Sequence, residues 1–148
     1  MTAEILQELY DRDLQNLQKE ISSYSNELLM WRIEKNISNS AGNLCLHLIG
    51  NLNHFIGNVL GNSGYIRDRE AEFSSKNIPL SEMIASIEAT RIVVKKTLGG
   101  LKAEDLMKDF PIEIMGKKAS TLFWLTNFAG HLTYHLGQIN YHRRLLTE

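Results

Sequence analysis

The 148-residue chain has one cysteine, two prolines and almost no net charge, and each shortage closes off a class of protein. A lone cysteine cannot form an internal disulfide, which agrees with a reducing cytoplasm. Two prolines leave long stretches free to be helical. Lys and Arg total 16 against 17 Asp and Glu, a formal net charge of −1, so no global field recruits nucleic acid or an anionic membrane. No run reaches the roughly 18 apolar residues of a membrane span. The opening MTAEILQELYDRDLQNLQKE lacks the basic and apolar regions of a secretory signal. The expectation is a cytoplasmic protein that engages neither nucleic acid nor membrane. Its composition, 43% hydrophobic and 22% charged, suits one globular domain over residues 1–148 with a core of useful size.

Hydrophobic periodicity then organises the chain. Ile5, Leu6, Leu9, Leu14, Leu17 and Ile21 mark a first amphipathic helix from 3 to about 22. A polar connection rich in Ser and Asn follows, built around LLMW, and Ser40 or Asn39 is placed to cap a second helix over about 41–61. Leu44, Leu48, Leu52, Phe55 and Val59 are its expected inward face, and GNSG stops it. The stretch YIRDREAEFSSKNIP reads as a charged linker with at most a short helical turn. A third helix runs from Ser81 to about 98, where two glycines end it. AEDLM suggests one more helical turn and FPIEIMGKKA a small strand or hairpin before a last helix over about 119–146. The predicted class is all-α, a four-helix bundle with a small irregular or hairpin insertion before the last helix.

Three of five histidines lie in GHLTYHLGQINYHRRLL, within that last helix. From His131, His135 is about 40° round and about 6 Å along the axis, on the same face, so the pair can grip one metal ion or merely sit side by side. A third imidazole decides between these. His47 lies in NLCLHLIGNLNHFIG on the second helix, where His47, Asn51, His54 and Asn58 form a polar stripe beside the apolar one. Asn127, His131, His135, Gln138 and His142 repeat the design on the last helix.

With H47-x-x-G-N on one helix and H131-x3-H135-x-G-Q on the last, the chain resembles the DinB-like superfamily of metalloenzymes. NSAGNLCLHLIGN with YIRDREAEF resembles more closely a branch related to the YfiT and bacillithiol-transferase proteins. The resemblance spans nearly the whole chain. It implies a four-helix bundle in which His47, His131 and His135 hold zinc or nickel, and a homodimer. Three neutral imidazoles leave a position open, as in catalytic zinc sites, and such an ion lowers the pKa of the water or thiol it binds. The related enzymes are thiol S-transferases, some hydrolases, so the implied substrate is a small molecule and the implied co-substrate a low-molecular-weight thiol. The rival expectation is a non-catalytic dimerisation or interaction module, or a small-molecule sensor, with a vestigial metal site.

Around the triad, Asn51, His54, Trp124 and Gln138 are candidates to hydrogen-bond the ligands or wall the pocket. His54 and His142 each lie seven residues beyond a triad member, about 10 Å along the helix, too far to ligate the same ion. His142 beside Arg143 and Arg144 reads as a helix end. Cys45 points about 160° away from His47 and reads as a packed thiol. Gly50, Gly57 and Gly137 imply close helix approach or room for a ligand. RDREAEF reads as a solvated, salt-bridged run, with an anion clamp by Arg67 and Arg69 as the alternative. No acidic residue stands out as a general base.

Overall fold

The computed structural model describes residues 2–146. Six α-helices are present among them: α1 (Thr2–Ser22), α2 (Ala41–Leu52), α3 (Arg69–Ser74), α4 (Leu80–Gly99), α5 (Ala103–Met107) and α6 (Thr121–Leu146). A 3₁₀ turn over Glu27–Trp31 precedes α2, and a π-helical segment, Asn53–Leu60, extends it. No strand occurs among the described residues, and no helix there is long and apolar enough to cross a membrane.

Capping chemistry sets the ends. Ser40 accepts from the Asn43 amide at the start of α2, as expected of a serine at that position. Glu27 reaches from the 3₁₀ turn to accept from the Leu80 amide at 2.8 Å, which pins that turn to the start of α4. The anticipated hairpin is reduced to two isolated bridges, Asp109–Ser120 and Ile114–Lys117. Met115 and Gly116 both take positive φ between Ile114 and Lys117, as a two-residue hairpin turn requires.

Packing follows the apolar stripes. α1 lies against α4 and α6, while α2 lies against α3, α4 and α6. Leu6, Tyr10, Leu14, Leu17 and Ile21 of α1 meet Met83, Ile87, Val94 and Leu98 of α4 and Leu125, Phe128, Leu132 and Ile139 of α6 in one buried core. The inward face of the second helical segment departs from expectation at its end. Leu44, Leu48 and Leu52 are buried, but Ile56 is fully buried in place of Phe55 and Val59, which are half-buried. A π turn holds more residues than an α turn, so each residue advances less around the axis. Ile56 therefore arrives under Leu52, and Phe55 and Val59 swing to the edge.

Candidate metal centre

The centre forms where α2 meets α6. His47 Nε2 stands 3.1 Å from His131 Nε2, and His135 Nε2 stands 3.1 Å from the same atom. One ring nitrogen from each of the three lies within 4.8 Å of the other two. The α-helical register puts His131 and His135 one turn apart on α6, and the packing of Leu44 and Leu48 against the core turns His47 towards them.

Hydrogen bonds to the far ring nitrogens fix the tautomers of two histidines. His47 Nδ1 lies 3.0 Å from Glu72 Oε1, and a carboxylate only accepts, so Nδ1 carries the proton and Nε2 keeps its lone pair. His135 Nδ1 donates to Gln138 Oε1 at 2.7 Å, which leaves its Nε2 bare in the same way. Gln138 in turn donates to the Tyr134 hydroxyl at 3.2 Å. His131 Nδ1 is buried without a hydrogen-bond partner among the described residues. Burial, then the neighbouring His135 and His47, push His131 down to about 4. Burial also lowers His47, against the opposing pull of Glu72. Both shifts favour neutral rings at His131 and His47.

Such a donor set fits a divalent cation. Imidazole nitrogens held at about 2.0–2.1 Å from one ion in tetrahedral geometry sit about 3.3 Å apart. The two 3.1 Å separations are of that size. A single shared proton on His131 can satisfy only one of its two neighbours, whereas a cation satisfies three lone pairs at once.

The surprise is the charged linker. Glu72 of α3 is buried, and Arg67 grips it with two bonds, Nε to Oε2 at 2.8 Å and Nη2 to Oε1 at 2.9 Å. Arg67 Nη2 also approaches His47 Nδ1 at 3.4 Å, a contact rather than a bond because both atoms are donors. The reading of RDREAEF as a solvated run is thus wrong at Arg67 and Glu72, and Arg67 holds the protein's own carboxylate instead of a ligand's. Arg69 stays exposed, over the Phe73 ring at 5.4 Å. Phe73 packs on His47 with ring centroids 5.0 Å apart.

Two small features let this linker fold down. A Cβ on Gly50 would fall 1.9 Å from Glu72 Oε2, so only glycine admits the carboxylate beside α2. Asn43, buried one turn before His47, donates to the Glu72 carbonyl at 3.0 Å and the Ser75 carbonyl at 2.9 Å. Its own oxygen accepts from Lys76 Nζ at 2.6 Å. Sequence reasoning passed over Glu72 and Asn43; an unexplained glycine one turn after His47 was the only hint.

The other candidates divide. Gln138 holds His135 as anticipated. Asn51 is buried one turn from His47, but its Oδ1 has no partner among the described residues. His54 is half-buried against Phe55, with ring centroids 4.7 Å apart. Trp124 is buried and stacked near Phe128 at 5.9 Å, with its Nε1 unpartnered among the described residues, and serves the core. His142 does more than end a helix: its Nε2 donates to the Arg32 carbonyl at 2.8 Å and its Nδ1 accepts from Tyr24 at 2.6 Å. Cys45 is fully buried, and burial pushes its thiol up to about 12. Gly57 faces Val93, a close helix approach.

Fold and site together define an all-helical protein with a three-histidine cluster able to hold a metal ion. The chain belongs to the family described as "Protein of unknown function (DUF1572)", whose model matches residues 3–148. No curated protein matches the chain.

Proposed function

We propose that this protein is a divalent-metal-dependent enzyme of the thiol S-transferase or hydrolase type, built as a DinB-like four-helix bundle from α1, α2 with its π extension, α4 and α6. The observation that carries the reading is the convergence of three Nε2 atoms from α2 and α6, two of them with their tautomers fixed by Glu72 and Gln138. His47, His131 and His135 would hold the ion, zinc or nickel. When bound, the ion supplies Lewis acidity and lowers the pKa of a water or thiol at its open position.

The chain's own residues set the terms of that chemistry. Neutral imidazoles leave the ion its full charge, which favours an anionic nucleophile. Glu72 has both oxygens engaged by Arg67 and His47, so it orients a ligand and is not free to act as a general base. Cys45 is sealed in the core with its thiol pushed up to about 12, so a reacting thiol must come from solution as a low-molecular-weight co-substrate. A cytoplasmic setting supplies such thiols. A homodimer belongs to this reading through the resemblance alone.

The test is turnover by untagged protein loaded with zinc or nickel. Cysteine and glutathione would be offered with monochlorobimane, and a panel of simple esters and amides offered separately. Metal-dependent product formation, lost in His131→Ala, supports the enzyme. Full metal occupancy with no turnover on any pair would favour a sensor or an interaction module.

A further inference from the structure

A groove of about 920 Å³ abuts the histidine cluster along His135 and its partner Gln138, which belong to both. Its walls are largely apolar. Ile37 and Leu44 come from the segment leading into α2 and from α2 itself, and Tyr134, Tyr141 and Leu145 come from α6. The two tyrosines, 64% and 65% exposed, stand on the solvent side of α6 where it borders the groove. Among the described residues, the formal charges in the lining are Glu34 and Lys35, of opposite sign, and Glu34 is bonded to Arg32. Nothing among the described residues there resembles a clamp for phosphate or for several carboxylates, and Arg67, the partly buried arginine beside His47, is spent on Glu72.

Gly137 gives the groove a reason. Glycine inside a helix lowers its propensity to form. At Gly50 and Gly57 a neighbour forbids a side chain, since a Cβ would fall 1.9 Å from Glu72 and 2.8 Å from Val93. At Gly137 a Cβ would meet nothing within 4 Å. No packing contact requires that glycine, yet any larger residue would project into the groove that Gly137 lines.

We infer that the groove binds the apolar body of an uncharged organic substrate, an alkyl, aryl or acyl group, and delivers its polar reacting end to the histidine cluster. The inference rests on the metal reading above and adds the substrate class. A volume of about 920 Å³ falls within the range of small-molecule sites, and a mostly apolar surface interspersed with a few polar groups is their usual composition.

A chain-length series of hydroxamates tests both claims separately. Acetohydroxamate needs only the metal, while butyro-, hexano- and octanohydroxamate add methylenes for the groove to bury. For zinc-loaded wild type, calorimetric affinity should rise about threefold to fourfold per methylene until the groove is filled. Gly137→Leu and Gly137→Phe should flatten that rise while leaving zinc content and acetohydroxamate affinity unchanged. Both replacements favour the helix, and far-UV circular dichroism confirms folding. Length-independent affinity in wild type, or a series equally steep in Gly137→Phe, would overturn the groove while sparing the metal centre. A flat wild-type series together with a dimer that Gly137→Phe dissociates would give the groove to a second copy of the chain, which also overturns it. Failure of wild type to retain zinc or to bind acetohydroxamate would defeat the metal reading, and this inference with it.

Discussion

Glu72 and His47 are 25 positions apart, yet a hydrogen bond of 3.0 Å joins them in the interior. The carboxylate fixes which nitrogen of the ring carries the proton, and Arg67 holds the carboxylate in turn. The order of dependence runs from Arg67 to Glu72 to His47 to whatever the three rings hold.

Replacing Glu72 by Gln keeps the shape but loses the charge that orients His47 and binds Arg67. Partners of this kind contribute about 10-fold to 100-fold in metal affinity. Competition titration against a chromophoric chelator should show zinc affinity falling by that order, with stoichiometry kept. Unchanged affinity would mean that Glu72 is there for structure alone.

Gly50→Ala adds one methyl group where the Glu72 carboxylate rests. The carboxylate must move, breaking its bonds to Arg67 and His47. Overpacking of this kind costs about 1–3 kcal/mol, outweighing the helix propensity gained by alanine. Chemical denaturation should report a net loss of stability, and the chelator assay a weaker centre.

Asn43→Ala removes four bonds, to the Glu72 and Ser75 carbonyls, Lys76 and Ser40. Buried groups left unsatisfied cost about 1–3 kcal/mol. The loss should be local. Hydrogen exchange would speed up at the amides of α3, with those of α1 and α4 little changed; uniform acceleration would show that Asn43 supports the whole fold.

A pH dependence follows from Glu20. Burial works to raise its pKa, but bonds from Arg143 at 2.7 Å and Asn140 at 2.7 Å outweigh it, and the carboxyl sits below its ordinary value. A depressed carboxyl binds fewer protons folded than unfolded, so its stabilisation is present above about pH 4.3 and fades as pH falls through the lowered value. Wild type should exceed Glu20→Gln by about 1 kcal/mol near neutrality, a discounted figure for a partly solvated pair. That difference should shrink as pH falls below the ordinary carboxylate value and close once the lowered value is passed, in urea titrations run across the range.

Much of this architecture was legible in the chain itself. The stripe Leu6, Leu14, Leu17 and Ile21 on α1 gave that helix and its inward face, because amphipathic periodicity is local. Ser40 announced the start of α2 for the same reason. The three histidines could be paired across 84 positions only through a resemblance to a family pattern, and the rings do meet. Buried charge was the opaque part. Arg67 and Glu72 look solvated in sequence because a charge is burial-competent only with its partner in place, and that partner depends on how the linker folds over α2. The π segment was hidden too, since nothing in NHFIGNVL reports a shift in helical register, and Phe55 and Val59 were therefore expected inward where Ile56 stands.

The central claim is that His47, His131 and His135 share one cation. The direct measurement is metal content and zinc titration of protein purified without a histidine tag, alongside His47→Ala and His131→Ala. The account predicts one equivalent of zinc or nickel per chain in wild type and at least a 100-fold loss of affinity, on the order expected for a missing ligand, in either variant. Sub-stoichiometric metal in wild type, or retention unaltered by the loss of either imidazole, would contradict it.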